Sequence, residues 1–404
     1  MRLHQDCRRR HGAMVPLFAL LLVPLLAMLA FSIDAGYMVL VRTDLQNAAD
    51  AAALAGAEKM QGPWVQYYTP GQLNQSGILT NATTNTTGSP MATAELFARY
   101  NRAGNVNLTV LDQDVHFGFT NASGTYSTTY TGFPNTIEVT VRRDETANGP
   151  LSLFFARVLG MSTVDIQATA RATIYSGAVN TLQVIPGVDA HILPVALDYK
   201  VWDQFYATGK SPDGTIHTNI TNGTPELHVY PSPGNAPGNF GLLDTGPPAN
   251  NVPAFRNWID DGQTPNDISY LLNNNLLPVS MQSPKSWKCG PGLKSTLQSD
   301  FNSQAWKPNL IPLFQAVSYS PTYQAASGTG QGATYVIVGF AGVCISNATG
   351  SGNSMDISIQ PMATVDPTAI ISNLMPAGTQ ASPLTPSSSS STTITTFGSA
   401  KLTN

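Results

Sequence analysis

The feature that most constrains this chain is an uncharged apolar run near its N-terminus, "AMVPLFALLLVPLLAMLAFSI" at residues 13–33. A helix of that length would rise about 31 Å, which is enough to cross the hydrocarbon core of a bilayer. Three arginines at residues 8–10 precede the run, and Asp34 follows it. Because basic residues favour the cytoplasmic side, residues 1–12 are predicted to be cytoplasmic and the bulk of the chain extracytoplasmic. We therefore predict a single-pass transmembrane helix at residues 13–33.

Two other interpretations of the N-terminus remain open. A signal peptide cleaved near Ser32 would remove the apolar run from the mature protein. Cleavage after Gly12, as in type IV prepilins, would instead leave the run at a new N-terminus. Those prepilins carry Glu five residues beyond the cut, where this chain has Leu17. An uncleaved anchor is the preferred interpretation. Leu17 argues against prepilin processing, and the apolar run is long for the apolar part of a signal peptide.

An alanine-rich segment continues directly from the apolar run. Apolar and small residues recur there at steps of three and four, so they share one helical stripe. The stripe consists of Ile33, Tyr37, Val41, Leu45, Ala48, Ala52 and Ala55. Since alanine has the highest helix propensity, residues 34–60 are predicted to extend the membrane helix as a stalk. The predicted surface for close helix packing consists of Ala48, Ala52, Ala55 and Gly56.

The same segment resembles a known family. "RRRHGA" at residues 8–13, the apolar run, and "DAGYMVLVRTDLQNAADAAALAGA" at residues 34–57 look like the N-terminus of TadG-like proteins of Flp (tight adherence, Tad) pilus assembly. The resemblance is strongest over residues 8–60. It implies a bacterial inner-membrane protein and a non-catalytic role in building or tethering a pilus. Its implied partners are the lipid bilayer and other Tad proteins or pilin-like helices, against which the small-residue surface would pack.

The remaining chain predicts an α+β fold in consecutive domains. Residues 61–178 are predicted as an α+β extracytoplasmic domain, residues 179–375 as a β-rich extracytoplasmic domain, and residues 376–404 as a Ser/Thr-rich tail. Strict alternation of apolar residues predicts strands at residues 135–144 and 162–174. Pro150 and Gly160 bracket a predicted helix between them. That strand–helix–strand order is similar to the extracytoplasmic part of Tad-type proteins, and its crossover would be right-handed if the strands were parallel.

Further elements follow from local patterns. Residues 92–105 predict a helix that buries Ala94, Phe97, Ala98 and Tyr100. Residues 253–262 predict a helix that buries Phe255, Trp258 and Ile259. Residues 191–202 and the pair 215–220 and 226–230 are strand-like. The continuous apolar run at residues 335–340 predicts a buried central strand. Near the C-terminus, "TITTF" at residues 393–397 is a candidate edge strand.

Composition and motifs assign no reaction. The net charge of −4, with 11% charged residues, supplies no basic patch for nucleic acid. The histidines have no metal-ligand spacing. His217 and His228 could meet across a hairpin, but exposed loop positions are the preferred interpretation. The acid pairs Asp112/Asp114 and Asp260/Asp261 are interpreted as helix-end and turn residues. We accordingly predict no catalytic residue, no cofactor and no metal.

The three cysteines fall on both sides of the predicted membrane segment. Cys7 would lie in the reducing cytoplasm, whereas Cys289 and Cys344 would lie outside, where a disulfide can form. Two unrelated buried thiols are the alternative.

Two classes of function follow. The favoured class is a membrane-anchored structural or assembly protein of an Flp-type pilus. The alternative is a membrane-anchored extracytoplasmic binding protein or hydrolase that carries a Tad-like anchor.

Overall fold

The structure, a computed structural model, describes residues 14–69, 71–230, 241–248, 251–292, 295–315, 326–327, 334–350, 355–379, 396–398 and 400–403. The chain divides into two compact units. Unit 1 draws on Met1–Ala52, Ala94–Val115 and Val139–Ala170. Unit 2 draws on Ala53–Thr93, His116–Glu138 and Arg171–Asn404. Both units combine segments that are distant in sequence, whereas the domains inferred from the sequence were consecutive.

Seven α-helices and twenty β-strands are present in the described residues. The helices are α1 (Met14–Tyr68), α2 (Gln75–Thr83), α3 (Pro90–Arg99), α4 (Tyr199–Thr208), α5 (Val252–Asp260), α6 (Pro265–Asn273) and α7 (Gln298–Ser303). The strands of the first half are β1 (Arg102–Ala103), β2 (Val106–Asn107), β3 (Val115–Thr120), β4 (Tyr126–Ser127), β5 (Thr136–Arg143), β6 (Leu151–Ser152), β7 (Thr163–Val164), β8 (Ile166–Thr173) and β9 (Tyr175–Leu182). The strands of the second half are β10 (Leu197–Asp198), β11 (His217–Thr218), β12 (Pro225–Tyr230), β13 (Gly241–Leu243), β14 (Lys285–Gly292), β15 (Asn309–Phe314), β16 (Ala326–Ser327), β17 (Thr334–Thr349), β18 (Asp356–Pro361), β19 (Ala369–Pro376) and β20 (Lys401–Thr403). The α+β fold class and the β-rich second half are confirmed.

Helix α1 joins the apolar run to the alanine-rich segment without a break over 55 residues, or about 82 Å. The predicted continuous helix is confirmed, but its predicted end near residue 60 is wrong. Pro63 lacks an N–H donor, yet the helix continues through it. Trp64 and Val65 of the following turn are almost fully buried, and the Trp64 ring packs 5.7 Å from that of Phe397. Tertiary packing therefore outweighs the cost of the proline at this position.

A five-stranded sheet has the order β20-β8-β5-β3-β4. The predicted strands at β5 and β8 are confirmed, and Ile137, Val139 and Val141 are fully buried. Side-chain contacts join Thr136 to Thr173 and Thr140 to Thr169, so residue numbers rise along β5 as they fall along β8. The two strands are therefore antiparallel, and the right-handed parallel crossover does not apply.

The connection between β5 and β8 is a hairpin rather than the predicted helix at residues 150–160. Strand β6 pairs with β7 in antiparallel register, with Leu151 opposite Val164. Only a short 3₁₀ helix, Ala156–Leu159, forms at its tip, and Gly160 ends it at φ 84°. The predicted stop at Gly160 is thus correct, although most of the preceding segment is not helical.

The β-rich half centres on β17, which pairs with β14, β15, β16 and β18 in a nine-stranded sheet. Neighbouring residues on a strand point to opposite faces. Accordingly, Val338 joins a cluster with Trp202, Phe205 and Trp258, whereas Ile337 joins a second cluster around Trp287. The predicted buried central strand is confirmed, because hydrophobic side chains cover both of its faces.

Three local expectations need correction. Phe97 of α3 and Tyr100 just after it are exposed, whereas Ala94 and Ala98 are buried as predicted. Residues 191–202 are strand only at β10, because Asp198 caps α4 by accepting a hydrogen bond from the Lys200 N–H (2.9 Å). At the C-terminus, residues 393–395 lie outside the described residues. Phe397 is buried, and β20 pairs with β8 at the sheet edge.

We predict that Asn135→Ala lowers the free energy of unfolding by about 3 kcal/mol. The fully buried Asn135 amide bonds the Thr120 N–H (2.7 Å), the Thr120 carbonyl (2.9 Å) and the Ala377 carbonyl (2.9 Å). Alanine would leave these three groups unpaired, at about 1–3 kcal/mol each. Urea denaturation followed by tryptophan fluorescence measures the change. The matched control is Asn347→Ala at an exposed position near the end of β17, and equal effects of the two substitutions would contradict the prediction.

Candidate functional site

The end of the apolar run is marked by a buried charge. Asp34 is only 2% exposed, although the large side chains before it, such as Phe31 and Ile33, are exposed. Its carboxylate accepts hydrogen bonds from the backbone N–H groups of Phe154 (2.8 Å), Phe155 (3.0 Å) and Ala156 (2.7 Å). These donors belong to the tip of the β6–β7 hairpin. The first charged residue after the apolar run therefore attaches this hairpin to helix α1.

The ionisation of Asp34 follows from these contacts. Burial raises the pKa of the carboxyl group, but the hydrogen bonds from Phe154, Ala156 and Phe155 outweigh burial and lower the pKa below its usual value of 3.8. The carboxylate is therefore ionised at neutral pH. Its charge is balanced by three N–H dipoles at the start of a helical turn, where negative charge is favoured.

The base of the same hairpin is held by a buried arginine. Arg143, at the end of β5, donates hydrogen bonds to the carbonyl groups of Gly149 (3.1 Å), Pro150 (3.3 Å) and Ala103 (3.3 Å). Leu151 and Leu153 of the hairpin are buried as well. The β6–β7 hairpin is thus fixed at its base by Arg143 and at its tip by Asp34.

The predicted helix-packing surface is covered by the chain itself. Ala48 and Ala52 have no exposed surface, Gly56 is buried, and Ala55 is half-buried. Small side chains allow the close approach that the sequence indicated, but the packing that covers three of these four residues is internal. Of these four residues, Ala55 alone keeps partly exposed surface.

The two histidines that the hairpin could bring together do meet. The centroids of the His217 ring on β11 and the His228 ring on β12 lie 4.8 Å apart. Each ring also contacts a carboxylate. His217 Nε2 lies 2.9 Å from Asp213, and His228 Nδ1 lies 2.8 Å from Asp356. The hydrogen bond to Asp356 raises the pKa of His228 despite partial burial. Both histidines therefore lie on paired strands, and the preferred interpretation of exposed loop positions was wrong. Within the described ranges, no group of three or more His, Cys, Asp or Glu side chains could hold a metal ion.

The acid pairs occupy structural positions. Asp114 is buried and forms an ion pair with Arg142. Asp260, at the end of α5, accepts a hydrogen bond from the Ser303 hydroxyl (2.8 Å). These contacts agree with the helix-end and turn roles inferred from the sequence.

Cys289 and Cys344 are buried free thiols, so the disulfide interpretation needs correction. Lys288 of β14 is aligned with Thr334 of β17, and Cys344 lies ten residues further along β17. At about 3.3 Å per residue, the two cysteines are roughly 30 Å apart, far beyond the Cα separation of a disulfide. Burial raises the pKa of both thiols, that of Cys344 to about 11.

We predict that neither buried thiol reacts with iodoacetamide at pH 8 in the folded protein. Thiolate is the reactive form, and burial suppresses it at both positions. After unfolding in urea without reductant, both should be alkylated, as mass spectrometry of peptides would detect. A peptide pair joined through Cys289 and Cys344 would contradict the structure.

We predict that Asp34→Ala accelerates amide hydrogen exchange at Phe154, Phe155 and Ala156. The substitution removes the only acceptor that the structure describes for these three N–H groups. Asp34→Asn retains one side-chain oxygen and should have a smaller effect. Because the folded pKa is lowered, the wild-type protection should persist above pH 4 and decline as the pH falls through the folded pKa. Unchanged exchange in Asp34→Ala would contradict the capping role.

Comparisons with known proteins bear on the same segment. The family model Tad, described as Flp pilus-assembly TadE/G-like, matches residues 12–59, and the model Tad_C, described as Tad-like Flp pilus-assembly, matches residues 40–172. Searches of curated proteins and of solved structures found no match. Asp34 and the hairpin that it caps both lie inside the matched range. Over residues 12–172 the chain therefore matches TadG-like proteins of Flp pilus assembly, and the resemblance stated from the sequence is confirmed.

Proposed function

We propose that this protein is a membrane-anchored, non-catalytic structural component of Flp pilus assembly, held in the inner membrane with residues 1–12 in the cytoplasm. The observation that carries the proposal is the overlap of the two family matches at residues 40–59, inside helix α1. The helix with the apolar run therefore belongs to the same family segment as the α+β region that follows it. The non-catalytic role rests on the assembly function that both family descriptions name.

The surface of α1 supports membrane anchoring. One helix of the described chain is long and apolar enough to cross a membrane. Large apolar side chains project from it on all sides, namely Phe18, Leu20, Leu21, Leu22, Val23, Leu25, Leu26, Met28, Leu29, Phe31 and Ile33. Exposure of so much apolar area to water would cost about 25 cal/mol per Å², and a bilayer removes that cost. Positive charge at residues 8–10 supports the proposed orientation.

The proposed partners are the lipid bilayer and other pilus-assembly proteins or pilin-like helices. Residues 61–178 and 179–375 are proposed to lie on the extracytoplasmic side. Because Ala48, Ala52 and Gly56 are covered by this chain, contacts with other proteins are proposed to use the remaining outer surface, including the exposed part of Ala55.

The proposed topology predicts a specific protease pattern. In spheroplasts, added protease should degrade the chain beyond Asp34, whereas an epitope tag fused before Met1 should survive on a short membrane-bound fragment. Permeabilised cells provide the control, in which the tag should also be lost. Loss of the tag in intact spheroplasts, or full protection of the chain, would contradict the orientation.

The assembly role is tested by deletion and complementation in the source bacterium. Deletion of the gene should abolish Flp pili, and the full chain should restore them. A variant with Leu22→Arg and Leu26→Arg should lose both the membrane fraction and the pili, because each buried arginine costs about 2.5–3.5 kcal/mol at the centre of a membrane helix. The matched control is Ile220→Arg at a fully exposed position in unit 2. Normal piliation in the deletion strain would contradict the proposal.

A further inference from the structure

Four large apolar side chains cover the tip of the β6–β7 hairpin in unit 1. Phe154 is 62% exposed and Val158 is 88% exposed, and Phe155 and Met161 are also exposed. A cluster of this kind at the end of a rigid hairpin is unusual for a surface that faces only water. It marks a place where another apolar phase or molecule makes contact.

The attachment of the tip places it at the end of the apolar run. Asp34 is the first charged residue after that run, and its carboxylate binds three consecutive N–H groups of the tip. The Cα–Cβ bond of a helical residue tilts towards the helix N-terminus. The Asp34 side chain therefore reaches the tip on the side from which the apolar run arrives. The Tyr37 ring, about one turn further along α1, packs 5.2 Å from that of Phe154, so a second contact joins the tip to the helix.

The chemistry of the tip fits one kind of surface. Arg157 is exposed between Phe155 and Val158, so a basic side chain interrupts the apolar cluster. Elements that bind a membrane surface bury apolar side chains such as Phe at the boundary between headgroups and acyl chains. Arginine can keep its guanidinium among lipid phosphates while its stem lies on apolar surface. The hairpin already contributes Leu151 and Leu153 to the hydrophobic core. Its exposed apolar side chains therefore need another explanation.

We propose that the tip, residues 154–161, inserts the side chains of Phe154, Phe155, Val158 and Met161 into the outer surface of the bilayer beside the transmembrane helix. This inference rests on the proposed membrane anchoring. With Asp34 joining the two contacts, the protein meets the membrane at a helix and at a second point beside it. Two contacts hold the membrane-proximal unit in one orientation, whereas a helix alone leaves it free to rotate.

Site-directed spin labelling of the full chain in lipid nanodiscs tests the proposal. A nitroxide is attached at Val158→Cys in a Cys7→Ser background, in which Cys289 and Cys344 stay buried and unlabelled. Val158 is highly exposed, so the substitution removes little packing. The label's collision rates are measured with oxygen, which concentrates in lipid, and with a water-soluble nickel chelate. Leu26→Cys is the label position inside the span, and Ile220→Cys is the exposed apolar control in unit 2.

The oxygen-to-nickel collision ratio at position 158 should be several-fold higher than the ratio at position 220. It should be close to or lower than the ratio at position 26. A ratio at 158 equal to that at 220, with 26 still in lipid, would overturn membrane contact by the tip and leave the anchor intact. Exclusion of both reagents at 158 would also overturn it, because the tip would then be buried against protein. A water-exposed label at 26 would instead refute the anchor itself.

Discussion

The pairing of Asp34 with three backbone N–H groups is the interaction on which unit 1 depends. A helix that emerges from an uncharged run must introduce its first charge where water is scarce. An unpaired carboxylate there would carry a large desolvation cost. The hairpin tip supplies N–H dipoles instead of water, so the charge that ends the apolar run also fixes a segment 120 residues away in sequence.

The chain packs closely against the stalk part of α1. At Gly104 (φ 54°) an added Cβ would lie 2.9 Å from the Tyr37 hydroxyl and 3.1 Å from a Val41 methyl group, both on α1. Further along the helix, Ala48 and Ala52 are fully buried within the chain, so internal packing accounts for the burial of these small residues. The same pattern in the sequence fits an interface with another helix equally well. Only the tertiary structure distinguishes the two.

Elements set by local periodicity were predicted well, and those set by distant contacts were not. The alternation of apolar residues along β5 predicts which of its side chains are buried, and the continuous apolar run of β17 predicts that this strand is buried. Residues 150–160 carry a helical pattern, yet β6–β7 pairing, Arg143 and Asp34 hold them as a hairpin, and none of these is local to the segment. The choice between a disulfide and two separate buried thiols could not be made from the sequence for the same reason, because strand register decides whether two thiols meet. For the candidate site, the sequence identifies Asp34 as the residue that ends the apolar run. It does not identify the hairpin N–H groups that bind the Asp34 carboxylate.

Both family matches fall in the first half of the chain, which contains helix α1 and the β6–β7 hairpin. The matched range ends at residue 172, one residue before β8 ends, whereas the nine-stranded sheet is built entirely from later residues. In that sheet β17 is buried on both faces, so its faces offer no surface to a partner. A partner of the β-rich half would therefore meet elements other than the buried stretch of β17.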